Sequence, residues 1–498
     1  MLIAHDLGTT GDKASLHTAE GRLLRSTTIT YPTRLAAGGV AEQDPQLWWD
    51  AVCTATRRLM QEAGVQTGEI SGIGFSGQMM GAVLLDADFE PVRPSLIWAD
   101  TRSGEQSRRL VEAVGQDRGY ELTGHRINPT YSLSKVMWVR DREPEAFART
   151  RHVCLAKDFV VHRLTGRLVT DPSDASSTNA YDQRGGRWSA DLLAAADLPE
   201  SLFPEIVPST TVVGGLLPAA ADAIGLRDGT PVVIGGGDGP MAAVGAGVTS
   251  PERGSYVYLG SSSWVSMAAT RPLIDPARRT MTFDHVVPGL YVPTATMVAG
   301  GGSLQWVTSL LAGVDPDRFE RLLGEAAEAG AADEGLYFLP HLLGERSPYW
   351  NPDARGVLVG LAQHHGPGAV VRAVLEGVAF NLATCVNAFR SSGAQIDRVD
   401  AIGGGAASDL WLQILADTWN VTVRRRSIVE EANSLGAAVT AGVGIGSIPD
   451  FSVAASLSDT TAVFTPDPAR HSRLVGQHAS FVDAYECLEP WFGREAQR

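Results

Sequence analysis

The sequence predicts an α/β protein built as two similar halves with a cleft between them, and three observations carry that expectation. Strands followed by helices recur in both halves, the pattern of sheets covered by helices. A strand–turn–strand unit rich in glycine and hydroxyls occurs twice, at Asp6-Leu7-Gly8-Thr9-Thr10-Gly11-Asp12-Lys13 and at Leu259-Gly260-Ser261-Ser262-Ser263-Trp264. Between them lies Gly235-Gly236-Gly237-Asp238-Gly239, a carboxylate on a bed of glycines. A glycine turn of this kind leaves backbone N–H groups and hydroxyls at its tip, which suits a phosphate chain. One such turn per half implies a polyphosphate gripped from two sides.

The elements follow in order. Leu2 to Leu7, Ala14 to His17 and Leu23 to Ile29 read as three successive strands with turn residues between them. Asp44-Pro45 starts a helix, with a carboxylate at the N-cap and proline in the first turn. Leu47, Trp48, Val52, Ala55 and Leu59 keep helical spacing to about Ala63. Ile70 to Phe75 and Ala82 to Asp86 are strand-like, and a capped helix beginning near Thr101 lies within Ala99 to Gly115. Asn179 to Pro218 is rich in turn residues. In the second half, strands over Gly254 to Leu259 and Trp264 to Ala268 flank the second glycine turn. A long helix spans Gly368 to Phe389, and Val399 to Ile402 enters Gly403-Gly404-Gly405-Ala406, with Ser408 capping a helix through Thr418. Small residues over 242–251 form the predicted hinge, which divides the chain into 1–246 and 247–498.

Composition excludes several classes. A net charge of −15 argues against a nucleic-acid partner, which calls for a basic face. It does not argue against a nucleotide, since helix N-termini and backbone N–H groups hold phosphates locally. Cys53, Cys154, Cys385 and Cys487 form no Cys-x-x-Cys pair, so reduced buried thiols are expected. The N-terminus lacks a basic segment followed by an apolar run. Weakly polar stretches such as Leu435 to Gly446 fall short of the ~18 residues that span a bilayer. The expectation is a cytoplasmic protein without a membrane partner, with homodimerisation left open. His5, His285 and His341 are scattered and read as structural. Gly72-Ile73-Gly74-Phe75-Ser76-Gly77 matches the dinucleotide fingerprint, but a strand-like segment follows it where a helix is required. No Walker A loop is present in the sequence.

The ordered motifs resemble a known family. Asp6-Leu7-Gly8-Thr9-Thr10, Gln43-Asp44-Pro45 with Trp48-Trp49, Ser76-Gly77-Gln78-Met79 and Trp98-Ala99-Asp100-Thr101-Arg102 fall in the order seen in the FGGY carbohydrate kinases. Lys135-Val136-Met137-Trp138, Gly235-Gly236-Gly237-Asp238, Leu259-Gly260-Ser261-Ser262, Gly344-Glu345-Arg346-Ser347-Pro348, Glu376-Gly377-Val378-Ala379 and Gly403-Gly404-Gly405-Ala406 continue it. Among subfamilies the chain is most similar to the xylulokinases. The resemblance implies two actin-like (ribonuclease H-like) lobes, with ATP and sugar in the cleft between them.

It also implies roles. Asp238 is the base that takes the proton from the sugar's terminal hydroxyl, and Asp6 orients Mg²⁺ directly or through water. Thr9, Thr10 and Lys13 lie along the phosphates, faced by Gly260, Ser261 and Ser262 from the other lobe. Gly403, Gly404 and Gly405 hold adenosine, with Gly302 and Asn433 as further nucleotide contacts. Gln78, Met79, Met80, Trp48 and Asp100 line the sugar side, one of Trp48 and Trp49 facing the sugar while the other packs in the core. The implied reaction transfers the γ-phosphate of ATP to a ketopentose, foremost D-xylulose. L-xylulose, ribulose, erythritol or gluconate are alternative substrates, and a non-catalytic nucleotide-binding actin-like protein is the competing class. Two positions depart from the xylulokinase pattern: Met80 stands where histidine is usual, and Gly239 where asparagine usually follows the catalytic Asp.

Overall fold

The structure is a computed structural model that describes residues 1–312, 316–329, 332–427 and 431–495. In the first lobe the strands are β1 (Leu2–Leu7), β2 (Gly11–His17) and β3 (Leu23–Thr30), followed by helix α1 (Pro45–Ala63) and strand β4 (Gly72–Gly77). Helix α2 (Ala156–Thr165), strands β5 (Val212–Gly215), β6 (Pro231–Val233) and β7 (Gly236–Gly237), and helix α3 (Asp238–Gly245) complete the part that positions the cleft. The sheet order is β5-β6-β4-β1-β2-β3, with β7 also pairing along β4. The strand β1 is antiparallel to β2 and parallel to β4.

The alternation along β1 explains its place at the sheet centre. Ile3 and Leu7 face the core built with Trp48, Val52, Ala55 and Leu59 of α1. Leu2 and Ala4 face the opposite side. A strand covered on both faces calls for apolar residues, and β1 supplies Leu2, Ile3 and Ala4 before the buried His5, which is paired with Asp12 at 2.9 Å. The predicted cap of α1 is present: Asp44 accepts from the backbone N–H of Gln46 at 2.9 Å.

The second lobe repeats the plan. Its elements are β8 (Ser255–Leu259), β9 (Ser263–Met267), β10 (Met281–Asp284), β11 (Tyr291–Met297), α4 (Pro367–Ser391), β12 (Arg398–Ile402), α5 (Asp409–Trp419), β13 (Thr422–Arg426), α6 (Ala432–Gly444) and β14 (Thr460–Phe464). The sheet order is β10-β11-β9-β8-β12-β13-β14. Here β8 is antiparallel to β9 and parallel to β12, as β1 is to β2 and β4. Each glycine turn therefore closes a hairpin whose first strand lies centrally in its sheet.

Helix α4 is the long helix predicted over Gly368 to Phe389, and by length and composition alone it would cross a membrane. Its most apolar window is 83% buried within the second lobe, so it is that lobe's core helix. The predicted helix after Ala99 begins later, at Gly104. Asp100 holds a turn there, accepting from the backbone N–H of Arg102 at 3.2 Å. The dinucleotide-like run Gly72 to Gly77 is itself strand β4, buried throughout, with no helix at its end.

One connection matters for the cleft. Helix α6 belongs to the second half by sequence but packs on the first sheet, where Leu435, Ala438 and Ala441 join the cluster of Leu2 and Ala4. Strand β10 is in turn held by the first lobe: Gln183 Nε2 donates to Thr282 O at 2.8 Å, and Tyr181 Oη to Asp284 Oδ2 at 3.0 Å.

Candidate active site

A cavity of about 250 Å³ lies between the lobes, with Asp238 and Gly239 in its lining. Thr9, Met79, Met80 and Trp98 complete its first-lobe side. The second-lobe wall is a sheet surface: Trp264 on β9 sits opposite Thr296 on β11, and Thr294 opposite Met281 on β10. Ser262, Phe283, Arg346 and Asn433 close the lining.

Asp238 is the first residue of α3 and accepts from the Gly239 N–H at 2.8 Å. Burial, and then the nearby Asp6 carboxylate, push its pKa up to about 7, against the opposing pull of Arg346. Asp6 stands at the end of β1, in register with Lys13 on β2 and Ser76 on β4. Ser76 Oγ donates to Asp6 at 2.8 Å, and Asn433 Nδ2 contacts both carboxylate oxygens at 3.3 and 3.2 Å. Burial nonetheless raises the Asp6 pKa.

The two turns meet at the same cavity. Thr9 Oγ1 accepts from Trp98 Nε1 at 2.8 Å, and the Thr9 carbonyl accepts from Gln43 Nε2 at 2.6 Å. Thr10 is exposed at the tip. In the second turn the Gly260 N–H donates to Ser262 O at 3.1 Å, Ser261 is exposed and Ser262 reaches the cavity. Gly302 packs on this turn, donating to Ser261 O at 3.0 Å. Gly403 has φ +90°, and a Cβ there would lie 2.8 Å from Leu259 O; a Cβ on Gly405 would lie 2.7 Å from Trp411. Only Gly404 is exposed with open space beside it, so close packing accounts for two of the three glycines.

Several expected contacts are placed elsewhere. Trp48 is 1% exposed and donates to Gln43 Oε1 at 3.0 Å behind the cavity wall. Trp49 lies under Arg163, 5.2 Å from its ring centroid, so neither tryptophan lines the cleft. The capped start of α1 fixes its rotation, sending Trp48 inward with Val52 and Leu59. Asp100 is buried and bonded to Ala41 N–H at 2.9 Å and to Arg102, within a network that includes Glu42 and Arg93. Gln78 sits just behind the lining, donating to Gln43 Oε1 at 2.8 Å. Asn433 faces Asp6, at the phosphate-turn end, because α6 packs on the first sheet. Met79 and Met80 do reach the cavity. Met80 has φ +64°, and this left-handed turn is held on both sides: Lys135 Nζ donates to its carbonyl at 3.0 Å and its N–H to Ser177 Oγ at 3.1 Å.

Sequence reasoning missed Trp98, Arg346 and the β9–β11 wall. The Arg346 guanidinium stacks 5.2 Å above the Trp98 ring, joining the lobes across the cavity. Both residues stood inside recognised motifs, which was the available signal. A second ligand-like group, Glu334, His364 and His365, clusters away from this cavity. The Ala362 N–H donates to His365 Nδ1 at 2.9 Å, which places the ring proton on the Nε2 that faces Glu334. That nitrogen lies 3.4 Å from the carboxylate and, carrying the proton, has no lone pair for a metal.

The sequence profile of the FGGY family of carbohydrate kinases, N-terminal domain, matches residues 1–245, and that of the C-terminal domain matches residues 255–445. The chain belongs to the FGGY family of carbohydrate kinases. It is accordingly a phosphotransferase of two actin-like lobes, acting on a small sugar with ATP and a divalent metal. It is similar to the xylulose kinase of Escherichia coli K12, 33% identical over 492 residues that cover 98% of this chain and 99% of that protein. The crystal structure of xylulose kinase from Rhodospirillum rubrum has a TM-score of 0.90 at 30% identity, covering 99% of each chain. That of gluconate kinase from Lactobacillus acidophilus has a TM-score of 0.93 at 26% identity, also covering 99% of each.

Proposed function

We propose that this FGGY kinase transfers the γ-phosphate of ATP to the terminal hydroxyl of D-xylulose, with Asp238 as general base. The observation that carries this is the Asp238 carboxyl, lining the cavity where both glycine turns converge, with a pKa near 7 suited to proton transfer at neutral pH. The similarity to xylulose kinases over nearly the whole chain supports the sugar.

The donor set at Asp6 fits a hard divalent ion: a carboxylate whose two neutral hydrogen-bonding neighbours, Ser76 and Asn433, leave lone pairs on both oxygens. Asp6 would hold Mg²⁺ directly or through water, and the bound ion neutralises phosphate charge. The protein's own part is to cradle and orient. Thr9, Thr10 and Lys13 line the phosphates from one lobe, and Gly260, Ser261 and Ser262 from the other. Gly403 to Gly405 and Gly302 bound the adenosine side, with bare backbone at Gly404. Met79, Met80 and Trp98 shape the sugar side. Asp238 takes the proton from the attacking hydroxyl as the oxygen bonds to phosphorus. The lobes divide at 1–246 and 247–498, and the enzyme works in the cytoplasm, as a monomer or homodimer, without nucleic acid or membrane.

A coupled ADP-release screen of pentuloses, polyols and sugar acids with Mg·ATP tests the substrate. The highest kcat/KM is expected for D-xylulose, and a strong preference for gluconate or a polyol would overturn the assignment. Gly239 gives a second test. A Cβ there would come no closer than 3.8 Å to any side chain, so Gly239→Asn is expected to fold as the parent does. The added amide should lower the sugar KM by about 3- to 10-fold, the worth of one hydrogen bond. An unchanged or raised KM in steady-state kinetics would place the sugar away from this wall.

A further inference from the structure

Beneath the glycine bed lies a group of charged side chains that touches no part of the cavity. Lys157 Nζ on α2 is 2.7 Å from Asp158 Oδ1, 3.0 Å from Asp171 Oδ1 and 3.0 Å from Asp174 Oδ2. All four residues are fully buried. Three carboxylates around one ammonium are costly to bury, since desolvation rivals the Coulombic gain. Burial pushes the Asp158 and Asp174 carboxyls up, while the surrounding carboxylates hold Lys157 charged.

One chain of hydrogen bonds leads from this cluster to the active site. Ser173 Oγ donates its single proton to Asp171 Oδ2 at 2.6 Å, which leaves its lone pairs for another donor. That donor is the Gly237 N–H, at 2.9 Å, on the residue immediately before Asp238. Ser209 Oγ donates to the same Asp171 oxygen at 2.7 Å from another direction. The fit is tight: a Cβ on Gly236 would lie 2.6 Å from Ser173 Oγ, and one on Gly77 2.9 Å from Lys157 Cβ.

We infer that Ser173 is a positioning residue for Asp238: its hydroxyl, oriented by Asp171 within the Lys157 cluster, pins the Gly237 amide and sets the direction in which the Asp238 carboxylate points. The inference rests on the proposed role of Asp238 as base. A buried amide with one well-oriented acceptor has one favoured geometry, and a base displaced by a fraction of an ångström loses its line to the hydroxyl. The cost of burying the cluster is offset by rigidity where rigidity affects rate.

The test compares full-length Ser173→Ala, Ser209→Ala and Asp238→Asn for kcat, KM of D-xylulose and of Mg·ATP, and unfolding temperature. Ser173→Ala is expected to lower kcat by about 10- to 100-fold with both KM values within about threefold of the parent. Ser209→Ala removes a hydroxyl from the same carboxylate oxygen, so it should cost similar stability and much less kcat. Ser173→Cys keeps a weak acceptor in place and should recover part of the rate; it also supplies the measurement where the alanine variant does not fold. Ser173→Ala with kcat within about twofold of the parent, equal kcat losses in the two serine variants, or a change confined to KM would each overturn the inference. Loss of turnover in Asp238→Asn with full turnover in Ser173→Ala defeats only the positioning role. Turnover retained in Asp238→Asn defeats the base itself.

Discussion

Replacing Asp238 by asparagine is expected to lower kcat by about 10²- to 10⁴-fold while raising the unfolding temperature at pH 8. The rate loss follows from removing the base. The stability gain follows from the same environment that tunes it. Burial and the Asp6 carboxylate raise the Asp238 pKa to about 7, far above the ordinary carboxylate value. At low pH both folded and unfolded chains carry the proton, and Asp238 costs nothing. Between the ordinary value and about 7 the unfolded chain releases the proton that the folded chain keeps, so stability falls as pH rises through that window. Above about 7 the full cost stands, on the order of 4 kcal/mol. Asparagine removes the cost, less about 0.3–1 kcal/mol for an acidic group lost from the first turn of α3. Thermal melts of parent and variant at pH 5 and pH 8 check this. The variant's advantage should be larger at pH 8, and a parent more stable than the variant there would sink the electrostatic account. In the parent, kcat/KM should rise with pH through the neutral range and level off above it.

The parts of the site that were legible in the sequence are those set by local chemistry. Asp6 was expected at a strand end beside a glycine turn and stands there on β1, and Asp238, read as a carboxylate on a bed of glycines, follows Gly236 and Gly237 at the start of α3. The doubled hairpin was readable because each turn carries its own hydroxyls and glycines within a few residues. Trp48 was misplaced because a motif gives order along the chain but not helix rotation, which is fixed here by the Asp44 cap and the apolar face of α1. Asp100 was misplaced for a related reason: a carboxylate beside Arg102 and near Glu42 is bound into an ion network before it can reach a ligand. Asn433 could not be placed without knowing that α6 crosses to the first sheet. The β9–β11 wall was hidden because its residues alternate along three strands, and which face meets the cavity is a matter of lobe packing. Two of the three glycines at Gly403 to Gly405 serve backbone proximity to β8 and α5, so a glycine run overstates the surface it offers a nucleotide.

Lys157→Met is expected to destabilise the enzyme by about 3–5 kcal/mol at neutral pH, the usual cost of leaving buried charge without its partner. Methionine fills much of the lysine's volume, so a cavity term contributes little. What remains is electrostatic: Asp158, Asp171 and Asp174 lose the ammonium that lies within 3.0 Å of each, with no other cation bonded to them among the described residues. Hydroxyls and N–H groups still satisfy Asp171, through Ser173 and Ser209, and Asp158, through the Leu155 N–H. Asp174 has no hydrogen-bond donor besides the lysine among the described residues and becomes the most costly of the three. Its carboxyl is already pushed well up by burial, and without Lys157 it must rise further. A carboxyl whose folded pKa lies above its unfolded value loses stability as pH rises, so the variant's deficit should shrink on acidification from pH 8 towards pH 5. Adding Asp174→Asn to Lys157→Met removes one of the stranded charges and should recover part of the loss at pH 8 with little effect at pH 5. Melting curves of the single and double variants across that range give the check. A deficit independent of pH would mean that Lys157 acts by packing alone. A deficit that tracks protonation would establish that a charged scaffold, held at some cost in stability, lies directly beneath the glycine bed that carries Asp238.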